Sequence, residues 1–478
     1  MALYDGTNAP VITAYIDTGN RNQGKFILNY SLLGGTDTLG SYVPFTTLTA
    51  MNTTEVKRVS IRRGRTREDQ DIQPGDLTLV MDNTSGNYDP EFSQTVTVTA
   101  ASGNGSVITY TYYSTTPLKA GMVVTIYGLS NANFNLTYAT IIAATSTTFQ
   151  VSNSYFGTNS STGAAITGYT TTTGSAMLIQ GTGIRITAKW SGVEYPLYSG
   201  FIEQMDKDLS LEPTVTITCV DGLSKLGKMF VKTDTDTLGD RDAIAKILTD
   251  AGWYGTLAGN SSNYYYLNRI PKGNALEMIS QIALQEMGMF WVDDSNVATW
   301  LNYGSFAPGT FGSPAFTLSD QRTTSDEIEY DDISIIGGEK YLINTVTATN
   351  TFSDDSTQVI TKFNSTSVGR FGPVAKEMDI YIAGTNLQPT APADATQALA
   401  DQFASPAYRV DEVSFECVGF SSSLWYNFLN ACELSYRVTV KRTPIYGTQL
   451  TYNGRIQQIK HDITPDTWRT SLTLSPAT

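Results

Sequence analysis

The sequence predicts a mainly β protein that carries a small α+β part. Threonine, tyrosine and glycine are prominent in its amino-acid composition, which favours strands and turns. Several segments alternate apolar and polar residues, and helical periodicity is confined to a few segments. At 478 residues the chain is longer than one typical domain, so about two to four domains are expected. The hydrophobic fraction of 41% allows real cores, and the charged fraction of 16% does not indicate disorder.

Clean strand patterns occur on both sides of residues 94–175. Val59 and Ile61 alternate with polar and basic neighbours, as a half-buried strand requires. The pattern repeats at Leu77 to Met81, at Ile184 to Trp190 and at Val215 to Cys219. We therefore predict β structure in residues 59–93 and 176–230.

The composition changes between residues 94 and 175. Lys119 is the only charged side chain there, in a chain otherwise rich in Asp and Glu. Strand-like runs such as Val107 to Tyr112 and Val123 to Tyr127 predict an all-β module with its own small core. Its uncharged surface suits carbohydrate or protein contacts, and a spacer role explains the composition equally well.

Helical periodicity is clearest in the middle of the chain. Asp240 is predicted to cap a helix that carries Ile244 on its apolar face. Asn274 and Glu277 form a capping-box-like start to a second helix. We therefore predict an α+β middle domain at residues 231–315. In residues 316–478 we predict mainly β structure, with a short helix at Asp394 to Phe403.

No pattern in the chain indicates catalysis or a cofactor. His461 is the single histidine, it has no nucleophile motif beside it, and no glycine loop has phosphate- or dinucleotide-binding spacing. We expect His461 to form a hydrogen bond at a turn. Cys219, Cys417 and Cys432 allow one disulfide at most and lack metal-binding spacing, which favours folding in a reducing cytosol. The sequence thus predicts neither an enzyme nor a cofactor or metal site.

The charge balance and the apolar segments restrict the partners. With 31 Lys+Arg against 45 Asp+Glu the net charge is −14, which argues against a general nucleic-acid binder. Acidic and amide residues interrupt the richest apolar stretch, Ala275 to Val292, so no membrane span is predicted. The N-terminus lacks the features of a secretory signal.

Acidic segments are the nearest candidates for metal or catalytic sites. The run Asp234 to Asp240 begins like a calcium loop, but Leu238 and Ala245 stand where ligands are needed, so helix capping is favoured. Adjacent acids on a strand or turn point apart and are expected to be solvated. The pairs are Asp293-Asp294, Asp331-Asp332 and Asp354-Asp355. A structural calcium ion remains an open alternative.

A basic cluster is the sharpest local charge feature of this acidic chain. Its members are Lys57, Arg58, Arg62, Arg63, Arg65 and Arg67. In one interpretation the cluster contacts DNA or an acidic partner in the lumen of a ring. In the other it is a solvated strand and turn with carboxylates nearby.

Short motifs follow one another along most of the chain outside residues 94–175. They are Ile61-Arg-Arg-Gly-Arg65, Pro74-Gly75, Asp82-Asn83 with Tyr88-Asp-Pro90, Tyr198-Ser-Gly-Phe-Ile202, Cys219 to Leu226, Ser367 to Gly372 and Gly454 to Pro476. In this order they resemble the tail-tip or baseplate hub proteins of tailed bacteriophages, a family of minor tail proteins.

The resemblance implies a non-enzymatic virion protein at the tail tip, assembled in the host cytoplasm. It implies a homotrimer with two similar β-barrels per subunit, in a ring that closes the tail tube and opens for DNA ejection. The first barrel is expected to be discontinuous, with residues 59–93 and 176–230, and residues 1–58 are expected to pack on it or on a neighbouring subunit. The second is expected at residues 316–478, with a short helical insertion. The implied partners are the distal-tail or tail-tube ring, the tape-measure protein, central spike or fibre proteins, and DNA in transit. No sequence repeat is visible between residues 59–230 and 343–475, so the duplication rests on the resemblance.

The family pattern also bears on the charge-poor segment. In the family, the strand that ends in Tyr-x-Pro is soon followed by a strand like Gly183 to Ile186, which here lies far beyond Pro90. Residues 94–175 are therefore expected to be inserted in a loop of the first barrel. Two other roles stay open: a hexameric distal-tail ring protein, and a host-surface adhesin acting through this insert.

Overall fold

A computed structural model gives the fold of the chain. It describes residues 9–18, 44–67, 70, 72–88, 93–169, 178–208, 212–232, 234–235, 238–253, 255–305, 313–337, 341–384, 389–405 and 409–476. The predicted fold class is confirmed, because strands dominate, helices are few and a closed six-stranded barrel is present. Most of the predicted N-terminal segment 1–58 lies outside the described residues. Within the described part, no helix is long and apolar enough to cross a membrane.

Strands occur along the whole chain and are numbered in chain order. Those of the first half are β1 (Val11–Asp17), β2 (Leu48–Ala50), β3 (Val56–Gly64), β4 (Asp76–Asp82), β5 (Thr95–Asn104), β6 (Val107–Tyr113), β7 (Val123–Tyr127), β8 (Ala139–Ala144), β9 (Thr148–Ser152), β10 (Phe156–Asn159), β11 (Gly163–Thr167), β12 (Gly183–Trp190), β13 (Val193–Asp208), β14 (Thr214–Val220) and β15 (Phe230–Val231). Those of the second half are β16 (Ala258–Gly259), β17 (Gly273–Asn274), β18 (Met289–Val292), β19 (Ala298–Leu301), β20 (Phe316–Ser319), β21 (Glu327–Glu329), β22 (Asp332–Ile336), β23 (Thr345–Thr351), β24 (Thr357–Phe363), β25 (Ala375–Ile380), β26 (Arg409–Glu416), β27 (Arg437–Arg442), β28 (Leu450–Ile463) and β29 (Trp468–Pro476). The α-helices are α1 (Gly222–Leu226), α2 (Asp240–Asp250), α3 (Ala275–Gln285), α4 (Ser365–Phe371), α5 (Ala391–Gln402) and α6 (Ser422–Ala431).

One 14-stranded sheet joins the two ends of the chain. Its main path runs β2-β1-β12-β13-β14-β4-β3-β28-β27-β20-β21, and β29, β26 and β22 extend from the other edge of β28. Alternate residues of its strands fill one shared core, as the burial of Leu77, Leu79 and Met81 in β4 shows. Helix α6 contributes Trp425 to this core, where its ring lies 5.1 Å from that of Trp468.

The large sheet contains two units with the same strand order. The first unit runs β12-β13-β14-β4-β3 and the second runs β27-β28-β29-β26-β22. In each unit the long strand carries a bulge at the same place, between Ile202 and Gln204 in β13 and between Ile456 and Gln458 in β28. Because a bulge needs one extra residue at one position, its recurrence supports a duplicated unit.

A short sequence repeat accompanies this duplication, which corrects the expectation that no repeat is visible. Strand β13 matches β28 at several identical residues. The matched pairs are Tyr198/Tyr452, Gly200/Gly454, Ile202/Ile456, Gln204/Gln458 and Asp208/Asp462. The repeat is hard to see in sequence because residues 94–175 interrupt the first unit and residues 337–408 interrupt the second.

The charge-poor segment forms a small barrel of its own. Strands β5, β11, β7, β8, β9 and β6 pair in sequence, the β5–β6 pairing closes the circle, and β10 adds to β5. A separate core fills it, with Tyr110 stacked on Phe149 at 4.9 Å and Phe134 fully buried. These strands lie between β4 and β12 in the chain, and we retain residues 94–175 as the proposed boundaries of the insert.

Helices α2 and α3 pack with short strands in the middle of the chain. Asn274 caps α3, since its Oδ1 accepts from the backbone N–H groups of Leu276 and Glu277. The predicted capping role of Asp240 is wrong, because Gly239 holds the N-cap position and Asp240 is buried. Asp240 instead accepts hydrogen bonds from Tyr264 N–H and from the Trp300 indole. The helix expected at 394–403 begins earlier, at Ala391.

Candidate functional site

The strand that joins the two units, β3, carries the basic cluster. β3 pairs with β4 of its own unit on one edge and with the end of β28 on the other. Opposite residues in the β3–β28 pair include Ile61 with His461 and Val59 with Ile463, whose side chains enter the core. Arg58, Ser60 and Arg62 point away from the core, whereas Arg63 is buried, so one strand sends basic residues to two different environments.

On the outward face, the basic residues pair with carboxylates of neighbouring strands. Arg58 forms a two-pronged contact with Asp462, with N–O distances of 2.8 and 2.9 Å. Arg62 donates to Asp76 from Nε at 2.7 Å, and Lys57 Nζ lies 3.3 Å from Asp82. These side chains stay partly exposed, so each pair contributes at most about 1 kcal/mol to stability.

Arg63 is buried and lies on the core side of β3. Its guanidinium forms two hydrogen bonds with Glu433, at 3.1 and 2.7 Å, and only 3% of the side chain is exposed. The turn residues Asp293 and Asp294 lie near this pair. Burial lowers the pKa of Arg63, but the negative charges of Glu433, Asp294 and Asp293 raise it, and the net shift is upward. Burial, together with Glu433, raises the pKa of Asp294 above its ordinary range, although Arg63 opposes the shift. The pair Asp293-Asp294, expected to be solvated, is therefore half-buried against a buried ion pair.

The remaining members of the cluster also contact their own chain. Arg65 is buried and donates from Nε to the Gln457 side chain at 3.1 Å and from Nη2 to the Gly288 carbonyl at 3.2 Å. Arg67 is half-buried, with its guanidinium 4.4 Å from the centre of the Tyr341 ring.

The residues of the predicted cluster thus lie in different environments and do not form one patch. Arg63 and Arg65 are enclosed by protein and cannot reach DNA or a partner from this surface. The predicted lumen or partner contact remains a prediction for Lys57, Arg58, Arg62 and Arg67. Sequence reasoning missed Glu433 and Asp462, because these partners lie 370 and 404 residues away from Arg63 and Arg58.

His461 lies in the core and not at a turn, which corrects the expectation. Its Nδ1 is 3.0 Å from the Thr470 hydroxyl, and the Trp468 indole N–H donates to the same atom at 3.4 Å. Burial, with a further contribution from Arg63, lowers the pKa of His461 to about 3, so the ring is neutral at physiological pH. This histidine stabilises packing at the joint between the two units.

The other candidate groups are dispersed. Cys219 and Cys417 are buried free thiols, and Cys432 is a half-buried one. Among the described residues, no group of His, Cys, Asp and Glu side chains could hold a metal ion. The loop at Asp234 is only partly described, since Asp236 lies outside the described residues.

A polar joint connects the small barrel to the first unit. The Asn87 side chain donates to the Gly121 carbonyl at 2.9 Å and accepts from Val123 N–H at 2.8 Å. The Tyr88 ring stacks on Tyr169 at 5.8 Å, and Tyr88 also donates to the buried carboxylate of Glu55. Burial raises the pKa of Glu55, while hydrogen bonds from Tyr88 and its neighbours lower it.

Several solved structures with a similar fold are tail proteins. The chain is similar to a tail protein from Neisseria meningitidis, with 11% identity, a TM-score of 0.49 and coverage of 90% of this chain and 94% of that one. It is also similar to a 43 kDa tail protein of prophage MuSo2 from Shewanella oneidensis, with 10% identity, a TM-score of 0.47 and coverage of 90% and 96%. A type VI secretion component of Escherichia coli, described as similar to bacteriophage T4 tail proteins, matches with 8% identity, a TM-score of 0.37 and coverage of 89% and 74%.

No family model and no curated protein matches the sequence. Phage tail proteins, the kind of protein that the sequence resembles, are among the structures that match. Their identities and TM-scores assign no role to this chain.

Proposed function

We propose that the protein is a structural subunit of a tail-tip hub ring that closes the tail tube of a phage. The ordered motifs from Ile61 to Pro476 support this role. The observation that carries the proposal is the pairing of β3 with β28, which joins two equivalent β units edge to edge within one chain. A chain built of two such units can form a threefold ring with a sixfold outline, able to meet a sixfold tube on one side.

The symmetry of the particle tests this role. Native mass spectrometry of the purified chain, combined with negative-stain class averages, should show a trimeric ring with a sixfold outline. A true hexamer would instead support the distal-tail ring. A monomer, with no ring density for this chain in the tail, would contradict both ring proposals.

The hub proposal includes partners and a passage for DNA. The ring would contact the tail-tube or distal-tail ring and the tape-measure protein on one side, and spike or fibre proteins on the other. The exposed members of the basic cluster provide a test. Slower DNA release from particles carrying Arg58→Glu with Arg62→Glu, at unchanged assembly, would support contact in the lumen. Unchanged release would assign these side chains to the ion pairs within the chain.

A second candidate role, host-surface adhesion, is favoured by the outer surface of the insert. Tyr113 and Phe156 are 75% and 78% exposed there, on an almost uncharged barrel. Exposed aromatic rings among hydroxyl and amide groups suit carbohydrate binding. Particles without residues 95–166 should lose adsorption if the insert is the adhesin. Normal adsorption, together with a silent glycan array, would make the insert a spacer.

A further inference from the structure

The equivalent long strands β13 and β28 differ in what occupies their edges. One edge of β28 is paired with β27 over Leu450–Arg455 and then with β3 over Gln458–Ile463. The matching edge of β13 is paired with β12 over Val193–Phe201. Beyond Phe201, no strand in the described part of the chain pairs with that edge. Among the described residues, no strand fills on the first unit the position that β3 fills on the second.

Exposure differs between the two units in the same way. Gln458 and Ile459, beside β3, are 2% and 0% exposed. Their counterparts in β13 are Gln204, which is exposed, and Met205, which is half-buried. Because the strands are equivalent, the difference reflects the neighbouring strand and not the fold of the unit itself.

Strand β22 is the counterpart of β3, as the strand registers show. Val59 pairs with Leu79, which pairs with Ile217, and Ile217 pairs with Met205. In the second unit the same path runs from Ile333 through Val413 and Leu472 to Ile459. Val59 and Ser60 thus correspond to Ile333 and Ser334. Counted along the strand, Ile61 corresponds to Ile335, which follows a bulge that adds one residue to β26.

The outer edge of β22 is an exposed strand edge. In the described residues β22 pairs only with β26, while β3 has strands on both sides. Ile333, Ile335 and Ile336 are half-buried at this edge. Apolar, β-branched residues on an unpaired edge favour association with another strand.

We infer that β22 of one copy pairs with β13 of the next copy, just as β3 pairs with β28 within one chain. This inference rests on the proposed ring and names the contact that would close it. The register that follows from the β3–β28 pair places Met205 opposite Gly337, Asp206 opposite Ile336, Lys207 opposite Ile335 and Asp208 opposite Ser334.

This contact is head-to-tail, because each copy donates β22 at one side and accepts a strand on β13 at the other. Repeated contacts of this kind close into a ring when the rotation permits, and otherwise build filaments. Each unit in such a ring would have a strand neighbour of the same type, supplied alternately by its own chain and by the next one. The backbone pairing is β-augmentation, which satisfies otherwise open hydrogen-bonding groups.

Paired cysteines test the register. Asp206→Cys with Ile336→Cys places two thiols directly opposite across the proposed contact, where Cβ atoms lie about 4.5–5.5 Å apart. Mild oxidation of the purified chain should then give covalent multimers that disappear on reduction. Arg62→Cys with Lys460→Cys is the matched control, since these residues are opposite in the β3–β28 pair and should cross-link within one chain. In the variant with Lys207→Cys and Ile336→Cys, the two side chains would point to opposite faces of the shared sheet. These two thiols should therefore not cross-link.

Native mass spectrometry of the same samples separates this inference from the hub proposal. Cross-linked multimers from the first pair alone support the contact, even if they form open chains that contradict the ring. A ring that forms without those cross-links overturns the contact and leaves the hub proposal standing. A chain that remains monomeric and uncross-linked at all concentrations overturns both.

Discussion

At the scale of single residues, burial separates neighbouring arginines on one strand into different roles. Arg58 and Arg63 both pair with a carboxylate, but the Arg58 side chain is 54% exposed and the Arg63 side chain 3%. Water screens the first pair and not the second. The same residue type therefore has a small effect on stability at one position and a large effect five residues later.

Replacement of these two arginines by alanine should show this difference. Arg63→Ala leaves Glu433, whose side chain is only 18% exposed, without its partner, so we expect a loss of about 3–5 kcal/mol in the free energy of unfolding. Arg58→Ala, the matched control, should cost less than about 1 kcal/mol. Denaturant unfolding of both variants measures the effect, and equal losses would contradict the assigned burial.

The sequence predicted the environment of some residues and not of others. The alternation around Val59 and Ile61 is local, so it indicated a half-buried strand. The burial of Arg63 depends on Glu433, which lies 370 residues away, and no local pattern reports such a partner. His461 was expected at a turn for the same reason, since its burial is produced by Trp468 and by helix α6.

At the scale of elements, prediction succeeded where the signals are local. Helix α3 has a capping residue and a periodic apolar face, and it lies where the pattern placed it. Helix α6 was missed because its aromatic residues, such as Trp425 and Phe428, also favour strands. The motif Ser367 to Gly372 belongs mostly to helix α4.

The cap of α3 allows a test at this scale. Asn274→Ala removes the acceptor for two backbone N–H groups, so we expect a loss of about 1 kcal/mol in unfolding free energy. Asn274→Ser keeps a capping oxygen and is the matched control. Chemical denaturation should place the serine variant nearer the wild type, and an alanine variant as stable as wild type would contradict the capping role.

At the scale of the whole molecule, buried titratable groups make stability depend on pH. Burial raises the pKa of Asp221 from 3.8 to about 7, against hydrogen bonds from Gly75 and Leu223, and it also raises that of Asp294. A carboxyl group whose pKa is raised in the folded state stabilises the fold fully at a pH below its pKa in the unfolded chain. This contribution is lost as the pH rises toward its pKa in the folded state. His461 acts in the opposite direction, since its lowered pKa destabilises the fold as pH falls below about 6.5.

These opposing shifts predict a melting temperature that falls as pH rises from about 6 to about 8. Asp294→Asn should flatten this fall, because an amide cannot ionise. Asp462→Asn alters a partly exposed carboxylate and is the matched control. Thermal melts across this range provide the measurement. A melting temperature that rises with pH, or equal slopes for both variants, would show that the buried carboxyls do not dominate.

The overall architecture was predictable only through the order of the motifs. The fold class followed from composition and alternation, but the shared sheet and its duplicated units did not. Two strand registers join segments that are far apart in the chain: one links residues 59–64 to residues 458–463, and the other links residues 76–82 to residues 214–220. Hydrophobic patterns indicate that a strand exists and which face is buried, and they do not specify its neighbour.

The chain enters and leaves the small barrel at nearly one point. The backbone N–H of Thr167 donates to the carbonyl of Gln94 at 3.0 Å, so the two connections run side by side. A module attached in this way can be exchanged by recombination without changing the spacing of the strands that flank it. We therefore expect sequence differences between related proteins to be concentrated in this small barrel. The barrel could also be replaced by an engineered binding domain.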